Sequence, residues 1–146
     1  MGKRRETRET ALQILVSRDL HRNPSDEESA ALWTLLECSE SARATGEKLV
    51  AELTPLQAEI DTRLKEVCQN YEIDRLSTVD RNILRIAIYE MFHRLDIPPI
   101  VCINEAIEIA KRFGTEESGR FVNGILDRLK GQLDRPLREA SPSSGS

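Results

Sequence analysis

The chain has 146 residues, of which 39% are hydrophobic and 32% charged, with a formal net charge of −4; this composition is typical of a soluble globular protein. No run of about 18 apolar residues could form a membrane-spanning helix, and the basic residues 1–5 precede no apolar segment of the kind found in secretory signals. We therefore predict a cytoplasmic protein that does not associate with membranes.

The spacing of apolar residues predicts helices along almost the whole chain. In the first half, one helix ends at Asn23-Pro24, a short one carries Leu32–Leu36, and two more cover Ser39–Leu53 and Thr54–Tyr71. The second half adds a helix over Val79–Leu95, one that ends at Gly114, and a last one with apolar residues to Leu133. No segment alternates like a strand, so we predict an all-α protein of about seven helices in two packed sub-bundles, without a β-sheet.

Local signals indicate where individual helices begin and which helix is central. Thr54 is a good N-cap, with Pro55 at the first helical position and Gln57 completing a capping box. Thr115 is similarly placed to cap the last helix. The helix over Val79–Leu95 is apolar nearly all round, which predicts a central position in its domain.

The domain organisation follows from these elements. We predict a single helical domain over residues 1–135, with an N-terminal half of about 1–72 and a C-terminal half of about 73–135. Residues 136–146 turn to Ala, Ser, Pro and Gly, which predicts a disordered tail.

The residues that usually carry chemistry form no recognisable motif. Cys38, Cys68 and Cys102 have no zinc-ligand spacing, so we predict three reduced thiols and no metal site. His21 and His93 are joined to no nucleophile, and no phosphate-binding glycine loop is present. We therefore predict no cofactor, no catalytic residues and no enzymatic activity.

The charge is distributed unevenly along the chain. Residues 1–22 contain six basic and three acidic residues, a net charge of +3. Because the whole chain has a net charge of −4, residues 23–146 carry −7. Such an asymmetry predicts a nucleic-acid-binding arm or an anchor for an acidic partner. The alternative is that Glu6 and Glu9 pair with the neighbouring arginines at the surface, where ion pairs contribute little.

Three motifs follow one another in the second half: VDRNILRIAIYEM at 79–91, IPP at 97–99 followed by INEAIEIAKRFG at 103–114, and SGRFVNGILD at 118–127. These motifs resemble the NusB family of transcription antitermination factors. The first helix resembles the family's arginine-rich opening through Arg4, Arg5, Arg8, Ala11, Gln13 and Leu15. Together these segments cover most of the chain except residues 23–55 and the tail.

The resemblance implies a seven-helix protein that binds the boxA element of ribosomal RNA leaders together with NusE, a ribosomal protein of the small subunit. It implies that this complex joins RNA polymerase and suppresses termination during ribosomal RNA synthesis, without catalysis by this chain. The family contains monomers and homodimers, and the sequence is compatible with both.

The resemblance also assigns RNA-binding residues. Arg4, Arg5 and Arg8 would anchor phosphates, and Gln13 would offer a donor and an acceptor to a base edge. Glu117 and Phe121 would belong to the same RNA-facing surface as these four residues of the first helix. Phe121 is compatible with two roles, stacking on a base or packing in the core beside Val122.

For the protein partner NusE, the matching positions on the central helix are Asp80, Arg85 and Tyr89. Arg85 lies among isoleucines, so an alternative is that it neutralises a buried carboxylate such as Glu105. In many relatives an aromatic stands where this chain has Val16, which predicts weaker RNA binding or a greater dependence on the partner.

Two other functions are compatible with the sequence. One is a helical protein-interaction module without RNA binding, which would bind its partner independently of salt. The other is a NusB-like RNA-binding domain related to ribosomal RNA methyltransferases; a chain of this length leaves no room for their cofactor-binding domain.

Overall fold

The computed structural model describes residues 2–21, 39–69 and 72–140. Its helices, in chain order, are α1 (Gly2–His21), α2 (Glu40–Leu53), α3 (Gln57–Val67), α4 (Glu72–Arg75), α5 (Thr78–His93), α6 (Pro99–Phe113) and α7 (Ser118–Lys130). A 3₁₀ turn, Thr54–Leu56, connects α2 to α3. These described residues contain no β-strand, which confirms the predicted all-α fold.

The helix count agrees with the prediction only approximately. The short helix predicted around Leu32–Leu36 lies outside the described residues, and the single-turn helix α4 was not predicted. The other predicted helices are present, with ends displaced by a few residues, as is usual for helix boundaries. None of the described helices is both long enough and apolar enough to cross a membrane.

The chain divides into two compact units, Met1–Pro55 and Leu56–Ser146. The sequence predicted the boundary between the two halves near residue 72. The observed boundary lies at residue 55, so α3 belongs to the second unit. Asp61 on α3 binds Arg85 on α5, and the carbonyl of Val67 at the end of α3 accepts a hydrogen bond from Arg128 on α7 at 2.9 Å. A single domain over residues 1–135 and a disordered tail stay predictions.

In the first unit, α1 packs against α2 through small and aliphatic residues. The buried aliphatic residues of the two helices are Ala11, Leu12, Leu15, Ala42, Leu49, Val50 and Leu53. Gly46 on α2 allows the helices to approach closely, because a Cβ atom built there would lie 2.8 Å from Cγ2 of Thr10. The hydroxyl groups of Thr7 and Thr45 also form a hydrogen bond between the two helices, at 2.6 Å.

This close approach predicts that Gly46→Ala destabilises the protein. The added methyl group has to displace Thr10, and overpacking of this kind costs about 1–3 kcal/mol, more than alanine gains in helix propensity. Gly124→Ala is the matched control, since a Cβ atom at Gly124 meets nothing within 4 Å; this variant should be more stable by about 0.5–1 kcal/mol. Urea denaturation of both variants measures the difference, and equal stabilisation by the two substitutions would contradict the packing argument.

In the second unit, α5 is the central helix, as the sequence predicted. Every residue from Asn82 to Met91 is buried, so the helix is covered on all sides. Helices α3, α6 and α7 pack against it. The buried apolar residues of these three helices include Ile60, Leu64, Ile103, Ile109, Val122, Ile125, Leu126 and Leu129. The high proportion of Ile, Leu and Ala around its circumference is the reason that α5 is buried.

The segment that follows α7 is fastened to the end of α5. The guanidinium group of Arg135 donates hydrogen bonds of 2.8 to 3.3 Å to four backbone carbonyl oxygens, those of Glu90, Met91, Arg94 and Leu95. The carbonyl of Leu137 accepts a hydrogen bond of 2.8 Å from the backbone N–H of Ile100, in the first turn of α6. Backbone groups that the helix ends leave without intrahelical partners are thereby satisfied.

Two predicted N-caps are wrong. The Thr54 hydroxyl donates to the carbonyl of Val50 at 2.6 Å, so it binds the end of α2 and does not cap α3, which begins at Gln57. Helix α7 begins at Ser118 with Glu117 as the N-cap residue. Thr115 does not cap it; instead the backbone N–H of Thr115 donates to the Ser118 hydroxyl. Thr54 thus bonds one turn back into α2, and Thr115 bonds within the turn before α7, so neither hydroxyl caps the helix that follows.

Candidate nucleic-acid interface

The arginines of α1 differ in exposure along the helix. Arg4 is exposed and makes no hydrogen bond or ion pair with the described part of the chain. Arg5 is half-buried, and Arg8 is only 3% exposed, comparable with Leu12 at 2%. The apolar line of α1 therefore extends as far as Arg8, and Arg4 lies beyond its edge, where it is accessible to an anion.

Acidic Glu6 does not act as the counter-ion of Arg4. One carboxylate oxygen of Glu6 accepts hydrogen bonds of 3.3 Å from both the backbone N–H and the hydroxyl of Ser39. Ser39 is the N-cap residue of α2 and accepts from the N–H of Ala42 at 3.0 Å. Glu6 thus holds α1 to the start of α2, and the charge of Arg4 is left available.

Gln13 lies on α1 and is half-buried. Its side-chain N–H donates to the backbone carbonyl of Glu9 at 3.3 Å. The side-chain carbonyl oxygen is therefore the group of Gln13 that is free to accept from a base edge, because a primary amide offers one acceptor oxygen and two N–H donors.

In the second unit, one face of α7 forms an open cleft of about 330 Å³, lined by Glu117, Arg120, Phe121 and Gly124. These positions follow the spacing of one helix face, opposite to the buried face that carries Val122. Phe121 is half-buried and lines this cleft, so part of its ring is accessible. The structure thus places Glu117 and Phe121, the two RNA-binding positions that the resemblance implies on α7, in one cleft.

Arg120 and Gly124 are two members of this face that were not predicted as site residues. Arg120 is exposed and makes no hydrogen bond or ion pair within the described residues, which leaves its guanidinium group accessible beside Phe121. A Cβ atom at Gly124 would meet nothing within 4 Å, so the cleft is open at that point. The helical spacing from Glu117 was the signal that could have identified both residues.

The three positions predicted to contact NusE are buried. Asp80 is 8% exposed, Arg85 7% and Tyr89 3%. One carboxylate oxygen of Asp80 accepts a hydrogen bond from the Ser118 hydroxyl at 3.1 Å. The ring of Tyr89 stacks on His93 with 6.1 Å between the centroids. These three side chains therefore offer little surface for direct contact with a protein partner.

Arg85 is paired with a carboxylate, as the alternative interpretation expected, and this carboxylate belongs to Asp61 on α3. Nε and Nη2 of Arg85 donate to the two carboxylate oxygens of Asp61 at 2.8 and 3.0 Å. Nη1 donates to the side-chain oxygen of Asn82 at 3.0 Å. The parallel pair of hydrogen bonds is the strongest geometry that an arginine and a carboxylate adopt.

No cluster of three or more His, Cys, Asp or Glu side chains suited to a metal ion occurs within residues 2–21, 39–69 and 72–140. Cys102 is buried, Cys68 is half-buried, and neither forms a disulfide bond with another described residue; Cys38 lies outside the described residues.

The fold and these surfaces define a small all-helical protein with an accessible arginine at one helix end and, on another helix, a cleft lined by an aromatic ring, an arginine and a glutamate. The sequence profile of the NusB family matches residues 5–130. The transcription antitermination protein NusB of Desulforapulum autotrophicum is 45% identical over 143 residues, which cover 95% of this chain and 100% of that protein. The chain therefore belongs to the NusB family of transcription antitermination proteins.

Solved structures agree with this assignment. NusB of T. maritima superposes with a TM-score of 0.76 at 34% identity, covering 92% of this chain and 94% of that one. A crystal structure of the antitermination factors NusB and NusE in complex with double-stranded RNA contains a similar chain, with a TM-score of 0.73 and 25% identity. The match covers 91% of this chain and 99% of that chain.

Proposed function

We propose that this protein is a non-catalytic, cytoplasmic antitermination factor that binds boxA RNA of ribosomal RNA leaders together with NusE and joins the RNA polymerase antitermination complex. Family membership supports the antitermination role. The solved complex of a related NusB with NusE and RNA supports the two binding partners.

The observation that carries the proposal is the exposed face of α7. Phe121 offers a partly accessible ring on which a base can stack, and Arg120 offers an accessible cation beside it for a phosphate. Arg4 offers a second accessible cation on α1. In this proposal Gln13 accepts from a base edge, and Arg5 and Arg8 add to the positive charge of α1, Arg8 from a buried position.

Glu117 has a different part in the same proposal. It is exposed and lies one helical turn from Phe121, so its carboxylate repels phosphates from the start of the cleft and can accept hydrogen bonds from base amino groups. Glu117 therefore favours base contacts over backbone contacts at this end of α7. Arg85 and Tyr89 affect NusE binding, in this proposal, through the packing of α5.

Phe121→Ala is expected to weaken the binding of boxA RNA by about 1–3 kcal/mol, the usual contribution of one stacked base. The measurement is the binding of fluorescent boxA RNA and a scrambled RNA, with and without NusE, over a series of salt concentrations. Wild-type protein should prefer boxA, and NusE should strengthen that preference. Equal, weak binding of both RNAs that ignores the substitution would contradict RNA recognition and favour a protein-interaction module.

The salt series also tests Arg4 against a matched control. Arg4→Ala should lower the slope of log K against log salt concentration by about 0.7, the loss of one phosphate contact with single-stranded RNA. Arg18→Ala removes the same charge from the other end of the same helix, where Arg18 donates to the Thr54 hydroxyl. Equal slopes for the two variants would show that the charge acts without a phosphate contact at Arg4.

A further inference from the structure

The start of α7 is held by a short chain of hydrogen bonds. The Ser118 hydroxyl accepts from the backbone N–H of Thr115 at 2.9 Å and donates to Asp80 at 3.1 Å. Ser118 is 2% exposed and Asp80 8%, so water does not compete effectively for these bonds. The turn between α6 and α7 is thereby tied to the first turn of α5.

The same turn has little freedom to adopt another shape. A Cβ atom at Gly114 would collide with the Ser118 side chain and would lie 2.8 Å from the carbonyl oxygen of Ala110. The backbone N–H of Ser118 also donates to the carbonyl of Thr115 at 3.0 Å. Close packing and hydrogen bonding therefore fix the position at which α7 begins.

The exposed face of α7 starts from this fixed point. Glu117 immediately precedes Ser118, and Arg120 and Phe121 follow within one helical turn. We infer that Asp80 is a positioning residue for RNA recognition: through Ser118 it fixes the start of α7 and hence the orientation of Arg120 and Phe121. This inference rests on the proposed function of the α7 face, and it replaces direct contact with NusE as the role of Asp80.

The chemistry of Asp80 provides a conservative variant. Its Oδ2 atom is the acceptor for Ser118, whereas Oδ1 is buried without a hydrogen-bond partner within the described residues. Asn at this position retains one acceptor oxygen for Ser118, and Ala retains none. The backbone N–H of Asp80, which donates to Ser77 at 3.0 Å, is the same in both variants.

We expect Asp80→Ala and Ser118→Ala to weaken boxA binding about 3- to 10-fold in the presence of NusE, the effect of one lost hydrogen bond. Asp80→Asn should bind within about twofold of wild type. In a Phe121→Ala background, Asp80→Ala should cause no further loss, since its effect passes through the α7 face. Binding of NusE without RNA should be unchanged, and amide exchange at Thr115 in the free protein should accelerate.

A variant with a trimmed core separates positioning from general destabilisation. Ile83→Val removes one methylene group from a buried residue of the same helix, and it should lower the melting temperature without weakening RNA binding. The inference is overturned if Asp80→Ala weakens NusE binding without RNA, if its effect persists fully in the Phe121→Ala background, or if exchange at Thr115 is unchanged. A wild-type chain that binds neither RNA would overturn both proposals, whereas normal wild-type binding with no effect of Asp80→Ala would overturn only the role of Asp80.

Discussion

Replacing Arg85 by alanine is expected to lower the free energy of unfolding by about 3 kcal/mol. Removal of one partner of a buried ion pair usually costs about 3–5 kcal/mol, because the other partner stays desolvated. The Asp61 side chain is 40% exposed, so water compensates part of the loss and the lower end of that range applies. The substitution also leaves the side-chain oxygen of Asn82, which is 0% exposed, without the Arg85 donor.

Urea denaturation followed by far-ultraviolet circular dichroism measures this effect. Arg75→Ala is the matched control, because Arg75 is an exposed arginine of the same unit and its replacement should change stability by no more than about 0.5 kcal/mol. A double-mutant cycle with Asp61→Ala gives the energy of the pair itself. Additive effects of the two single substitutions would show that the observed hydrogen bonds do not couple the residues in solution.

Arg135→Ala is expected to destabilise the second unit by about 2–3 kcal/mol. One guanidinium group is bound to the four carbonyl oxygens of Glu90, Met91, Arg94 and Leu95, and hydrogen bonds from a charged donor contribute about 1.5–3 kcal/mol. Arg135→Lys should recover only part of the loss, since a single ammonium group cannot reproduce the planar array of donors.

Hydrogen exchange of backbone amides shows which part of the chain Arg135→Ala loosens. The N–H of Ile100, which donates to Leu137, should exchange faster in Arg135→Ala than in wild type, because the segment that carries Leu137 loses its attachment. Arg138→Ala removes an exposed arginine of the same segment and should leave this exchange unchanged. If both variants have wild-type stability, the contacts of Arg135 with α5 contribute nothing measurable.

The periodicity of apolar residues predicted most of the helices, because helices that pack in the core carry the most regular apolar spacing. The continuous apolar surface of α5 required burial on all sides, and the structure confirms it. Helix starts were harder, since Thr54 and Thr115 carry hydroxyl groups that suit an N-cap locally. In the structure these residues bond to Val50 and Ser118. A capping pattern shows only that a hydroxyl group suits an N-cap, and it does not show at which residue the next helix begins.

The site was predictable in part for a similar reason. The spacing of Glu117 and Phe121 is local, so their common face could be derived from the sequence, and the same spacing would have revealed Arg120. By contrast, the burial of Arg8 depends on how far the core extends under α1. The partner of Arg85 is Asp61, 24 residues earlier in the chain, and no local pattern indicates that pairing.

The hydrogen bonds between α1 and α2 have a consequence for the kinetics of folding. Glu6 and Ser39 are separated by 33 residues, and Thr7 and Thr45 by 38. Contacts between distant residues form late, because a long loop must close before they stabilise the chain. Helix α6 and helix α7 are joined by a much shorter turn, so they can associate earlier. During folding, the α7 face is therefore expected to form before Arg4 reaches its final position.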